Sequence, residues 1–283
     1  GAQKGIYVAF QEHRGGTGAS GSWDDKTNWS FSTLPRDVVP TLINPEHSVN
    51  VEGPPGFTTI RSLTLGSQTT GVATLDLTGG GTLTVDQSTV ITARGKLTGD
   101  GIINALGGIS NAGEIDLGTA SLQISGGLLT NTGLIRGNGA IDNQLMNSAS
   151  GEIRVAAGQR LHLTDAGAQT NAGRIDVVGN ATQAAEIEFA GSVTNAVATG
   201  NITVRHAVMR FNGGLTNQGA VGISFGTSDV YGDIDNAKGT IIVSGSSNVT
   251  FYDDLVNDGT VQVSKGSTAV YFGSVWGNSF TGS

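Results

Sequence analysis

The chain has 283 residues and a formal net charge of −8, from 15 Lys and Arg against 23 Asp and Glu, with 45 Gly, 5 Pro and no Cys. Without thiols there is no disulfide scaffold, no Cys-ligated zinc and no thiol catalysis. An acidic chain without a basic stripe also argues against nucleic acid as a partner, because that affinity comes from Lys and Arg displacing counterions.

The first segment, residues 1–22, holds one short apolar strand, Ile6, Tyr7, Val8 and Phe10, followed by a Gly/Ser/Thr linker. A lone strand is not stable, so this one is expected to pair with its own chain or with a neighbouring molecule. No charged stretch followed by an apolar run marks a signal peptide at the start, and no run of 18 apolar residues marks a membrane span. Residues 23–57, opening with Trp23, Asn28 and Trp29, differ from the rest of the chain and are expected to form an N-terminal cap segment.

Residues 58–283 carry a repeat. An Asn, a nearby Gly and an alternating apolar strand recur at Asn111, Asn131, Asn147, Asn171, Asn195, Asn217, Asn236 and Asn257, with a mean period of about 21 residues. Each unit reads apolar-x-apolar, a spacer, apolar-x-Asn, a Gly turn, then apolar-x-apolar, as in Val249, Phe251, Leu255, Asn257, Gly259, Val261 and Val263. Period two means strands, and Gly or Asn between them means corners. Helical periodicity is absent. Three short strands cannot bury their apolar sides alone, so successive units must stack. The expected fold is all-β, a right-handed parallel β-helix of about 10–11 coils, roughly 50 Å long at about 4.8 Å per coil. The same grammar, with Gly in the Asn place, extends N-terminally through Leu77, Gly79, Gly81 and Leu83 and then Leu97, Gly99, Gly101 and Ile103. From Ile103 to Ile115 is too short for a full coil, which breaks the register there.

Stacking turns the repeat into columns. The Asn column is expected to be structural, its amides linking one coil to the next. Asp116, Arg136, Arg154 and Asp176 form an outward charged column, with Glu152 beside Arg174, and are expected to make cross-strand ion pairs. A third column places Tyr231, Tyr252 and Phe272 three residues before the apolar residue of each corner strand, with Asn212 at the same offset one coil earlier. Three readings of this strip stand side by side: a sugar-stacking surface, a surface covered by another chain or by this chain's own extension, and ordinary exposed aromatics. Asp233 and Asp254 make a short acidic column. Two carboxylates one coil apart repel unless water or a cation such as calcium lies between them. The calcium-binding nonapeptide is absent, and no cofactor is expected.

The N-x-G-x-I units, together with Trp23, Asn28, Trp29, Pro35 and Asp37, resemble secreted bacterial β-solenoid proteins of the filamentous-haemagglutinin and autotransporter-passenger type. The resemblance spans about residues 23–283 and implies a cell-surface or extracellular adhesin, matrix or filament protein. It transfers no functional residue.

Catalysis by paired carboxylates or proton abstraction needs acids or bases clustered on one outer face. The one basic knot is Arg205, His206 and Arg210, with Arg160 and His162 two coils earlier. His13 and His47 lie outside the rod, so the four His give no triad and no metal spacing. Serine-hydrolase, phosphate-loop and zinc-protease motifs are absent. The expectation is an extracellular structural protein, not an enzyme, that assembles head to tail. Ile6, Tyr7, Val8 and Phe10 would complete an open edge of the next copy. The alternative is a polysaccharide-binding surface adhesin module that uses Tyr231, Tyr252 and Phe272, with a polysaccharide lyase or hydrolase as the third reading.

Overall fold

The computed structural model describes residues 11–12, 20–44, 48–66, 71–118 and 122–282. Parallel strands stack as a β-solenoid of about 11 turns, with almost no helix. Each coil contributes three strands. The coil around Asn131 shows the order: Leu129–Asn131 on a first face, Leu134–Arg136 on a second and Gly139–Asp142 on a third. The first faces form a 13-stranded sheet, and the second and third together form a 22-stranded sheet.

The alternation in the sequence explains this geometry, because period two sends every other side chain inward. On the second face Ile115, Ile135, Ile153, Ile175, Ile202, Val221, Ile241 and Val261 succeed one another in strict register. All are buried in one continuous core. Burial of each such side chain stabilises the rod by about 1.5–3 kcal/mol. On the third face Ile103, Ile124 and Ile141 stack in the same way, and Phe189 and Phe211 stack with centroids 5.6 Å apart.

The eight Asn side chains lie inside the first corner and are fully buried or nearly so. Asn111 Nδ2 donates to Asn131 Oδ1 at 2.7 Å, and the pattern repeats through Asn147, Asn171, Asn195, Asn217, Asn236 and Asn257 at 2.6–2.8 Å. Several of the same Nδ2 groups also donate to a second-face carbonyl of the following coil, such as that of Leu134, Glu152 or Ala220. The Gly that follows each Asn is needed because coils meet closely there: a Cβ at Gly219 would collide with the Gly200 carbonyl oxygen.

The register in the N-terminal coils differs from the sequence-based expectation. The Asn place is taken by Ile43, Leu65 and Ile91, since Ile43 pairs with Leu65, Leu65 with Ile91 and Ile91 with Asn111. Gly79–Gly81 and Gly99–Gly101 occupy a different corner, between the second and third faces. Both corners favour Gly, so spacing alone could not separate them. The apparent break disappears: Leu97 pairs with Ile115, and Ile103 with Ile124. Ile103 and Ile115 simply belong to different faces.

Stacking also begins before residue 58. Ser20–Ser22 pairs with the strand Val49–Glu52, and Pro40–Ile43 pairs with Ser62–Leu65. Between them, Trp23 and Trp29 fill the core at this end, with centroids 5.0 Å apart and edge to face. The Trp29 indole N–H donates to the Trp23 carbonyl at 2.7 Å. Ile6, Tyr7, Val8 and Phe10 lie outside the described residues. The two residues next to them in the described chain, Gln11–Glu12, pair in parallel with Thr41 and Leu42 of the same chain.

Candidate binding face

The outward side chains of the third face form one line along the rod. Register pairs Phe57 with Thr82, Thr82 with Ile102, Ile102 with Gln123, Gln123 with Ala140 and Ala140 with His162. The line continues from His162 to Glu188, Arg210 and Tyr231, and ring stacking carries it to Tyr252 and Phe272. Three chemically distinct stretches result.

The C-terminal stretch is the aromatic column. Tyr231 and Tyr252 stack at 4.3 Å with planes 3° apart, and Tyr252 and Phe272 at 5.5 Å and 16°. The Arg210 guanidinium lies 4.3 Å from the Tyr231 centroid. Sequence offset placed Asn212 at this position; Arg210 is there instead. The corner after Arg210 reaches Leu215 in five residues, whereas Tyr231 reaches Ile234 in three. Stacking turns the flat ring faces towards one another and towards Arg210, so edges face solvent, and Phe272 is 70% exposed. A hydrogen bond with Tyr231 and the nearby Asp229 carboxylate raise the Tyr252 phenol above its usual range.

The middle stretch is a charge-matched belt. Arg210 bridges to Glu186 at 2.9 Å, while Arg160 reaches Glu186 at 3.4 Å and Glu188 at 3.0 Å. Asn212 Nδ2 donates to Glu188 at 3.0 Å, and His162 Nε2 stands 3.9 Å from the same carboxylate. The Asn212 amide and then Arg160 hold the Glu188 carboxyl below the usual range, against the opposing effect of burial. Glu188 is therefore ionised at neutral pH and positioned to accept hydrogen bonds. The basic knot read from the sequence divides here. Arg210, Arg160 and His162 share this face, whereas His206 sits at a corner with φ 45° and Arg205 lies 4.9 Å from the Phe225 centroid.

The N-terminal stretch is a trough that sequence reading missed. A depression of about 540 Å³ is lined by Phe57, Asn104, Gln123, Ser125, Ala140, Asp142 and Thr164 among others. It meets a second depression of about 210 Å³ beside Arg160 and His162, sharing Gln123 and Ala140. The hollow exists because Ala140 is small where the strands on either side carry the longer side chains of Gln123 and His162.

The remaining columns are structural in their contacts. On the second face Lys96 and Arg136 together bracket Glu114 and Asp116 at 2.7–3.2 Å, a cross-strand cluster. Lys96 carried no sequence signal for this role. Farther along, Arg154 pairs with Glu152 and Arg174 with Asp176, each at 2.6 Å and each within one strand instead of across strands. The side chains two apart on one strand already share a face, so neither pair needs its neighbour. Asp233 and Asp254 accept backbone N–H groups of the next coil, from Asp254 at 3.3 Å and Ser274 at 2.8 Å. No group of three or more His, Asp or Glu able to hold a metal occurs among the described residues.

Comparison with curated proteins and with solved structures gives no match. The resemblance to secreted bacterial β-solenoids thus holds at the level of architecture. The family model described as the BigA fourth domain matches residues 74–274. That span is more than half of the chain, takes in the whole Asn ladder and all of the outer line but Phe57, and shows that the chain belongs to the BigA fourth domain family.

Proposed function

We propose that this chain is a rod-shaped module of a bacterial surface protein, of adhesin type, that holds a binding face away from the cell. Membership of a surface-associated bacterial family supports this reading. The observation that carries it is the unbroken amide ladder from Asn111 to Asn257, which ties successive coils into a stiff support for one outward line of side chains. Among the described residues no helix is long and apolar enough to cross a membrane. The test is antibody labelling of intact cells that produce the parent protein with or without residues 74–274, combined with an attachment assay. The expected result is labelling without permeabilisation and reduced attachment on deletion. Labelling only after lysis would overturn it.

A second reading, head-to-tail assembly by strand addition, is favoured by one observation. Val270, Phe272, Val275, Trp276 and Phe280 are exposed on the coil that follows Asn257. Under this reading Ile6, Tyr7, Val8 and Phe10 add a strand to that edge of a second copy. Sedimentation of the intact chain and of a variant lacking residues 1–14 decides it. Fibres formed only by the intact chain support assembly, and a monomer at high concentration removes it.

A further inference from the structure

We infer that the trough at the N-terminal end of the third face binds an extended, uncharged, hydroxyl-rich polysaccharide laid parallel to the rod axis. This inference rests on the surface-module reading and names the ligand class for its binding face.

The chemistry of the lining selects the ligand. Asn104, Gln123, Ser125 and Thr164 supply amide and hydroxyl groups, while Phe57 and Ile102 supply apolar surface. A sugar ring presents the same two qualities, hydroxyls at its rim and C–H groups on its faces. Gln123 is exposed, and its column neighbours Ile102 and Ala140 have no side-chain group to bond with it. Phe57 is 93% exposed, and Thr82 follows it in the column. Unlike Tyr252, which is sandwiched between two rings, Phe57 has no aromatic neighbour next in its column and keeps a flat face for stacking.

Charge selects against an acidic polymer. Asp142 accepts the Thr164 hydroxyl at 3.0 Å, and Arg160 is already committed to Glu186 and Glu188. Among the described residues no uncompensated basic group faces the trough to attract an acidic polymer. The shape completes the case, since the hollow runs along the stacking direction and the coils repeat every ~4.8 Å, a spacing close to the rise of one saccharide unit in an extended chain. Successive amides and hydroxyls can therefore meet successive sugars.

Affinity electrophoresis of the intact chain tests this, with hydroxyethylcellulose and galactomannan as neutral probes and polygalacturonate as the acidic control. Retardation is expected in at least one neutral polymer and not in the control. Replacing Phe57 with Ala is expected to weaken it about tenfold and Gln123 with Ala about threefold. Ala140→Trp should abolish it by filling the hollow, whereas Tyr252→Ala should leave it unchanged. Phe57 and Gln123 are exposed, so these variants keep the fold, and a thermal melt of each verifies this. No retardation in either neutral polymer, stronger retardation in polygalacturonate, or an unaffected Ala140→Trp variant would overturn the inference. Because the purified chain is used, such a failure leaves the surface reading intact. Conversely, labelling only in lysed cells would overturn the location without touching the binding result.

Discussion

Three N-terminal coils and the eight after them close the same corner by opposite chemistry. In the first, Ile43, Leu65 and Ile91 fill it with hydrocarbon; from Asn111 onward it holds a column of carboxamides. The backbone is indifferent to the change. The Ala112 N–H donates to the Ile91 carbonyl at 2.8 Å, as the Thr132 N–H does to that of Asn111. What differs is the dependence on neighbours. An aliphatic corner needs only contact, whereas each amide needs a partner above and below, because a buried polar group without one costs about 1–3 kcal/mol. The polar solution is therefore stable only as an uninterrupted series with sealed ends. Gly113 N–H caps the Asn111 oxygen at 3.2 Å, and Asn257 Nδ2 ends on the Asn278 carbonyl.

The most damaging way to break this contrast is Leu65→Asn, which sets an amide between Ile43 and Ile91 with nothing to bond. A loss of about 3–5 kcal/mol is expected in urea unfolding, from the lost apolar contact and the unpaired group together. Next comes Asn171→Ala, which removes the acceptor of Asn147 at 2.7 Å and the donor to Asn195 at 2.8 Å. It should cost about 2–3 kcal/mol, with hydrogen exchange faster on both sides of the gap. Ile91→Asn sharpens the comparison, since the new amide would lie directly below Asn111 and lengthen the ladder. It should cost about 1–2 kcal/mol, less than Leu65→Asn. Equal losses for these two variants would mean that neighbouring amides do not matter.

The smallest effect tests the surface of the ladder coils. Burial pushes the Asp116 carboxyl up, but Lys96, the Gly118 N–H and Arg136 outweigh it and hold the group below its ordinary 3.8. Because the folded value is the lower one, its stabilisation is complete above the ordinary value and is lost as pH falls through the depressed one. Melting temperature should be flat from neutral pH to about pH 5 and fall below about pH 4, with Asp116→Asn removing about 0.5–1 kcal/mol of that dependence.

Sequence reading found what repeats and missed what does not. The Asn column was legible because a polar residue recurring among alternating hydrophobes has few explanations. The aromatic column was legible from a fixed offset to Ile234, Leu255 and Val275. Asn212 was placed in that column where Arg210 stands, because corner length varies by two residues, which an offset cannot absorb. The aliphatic corners were invisible, since Ile43, Leu65 and Ile91 look like any inward strand residue and the Gly turns of another corner imitated the signal. The trough was illegible for a different reason. It is made by the smallness of Ala140 between Gln123 and His162, and a short side chain becomes a feature only once the strands beside it are known.

The carboxamides of the ladder all point one way, with Nδ2 towards the C-terminal end and Oδ1 towards the N-terminal end. Aligned dipoles add, as they do along a helix. The column thus carries an axial moment, negative beside Asn111 and positive beside Asn257, so the long molecule is electrically as well as chemically directional. Two such rods lying side by side would prefer opposite orientations, a bias that weakens as salt shortens the reach of the field.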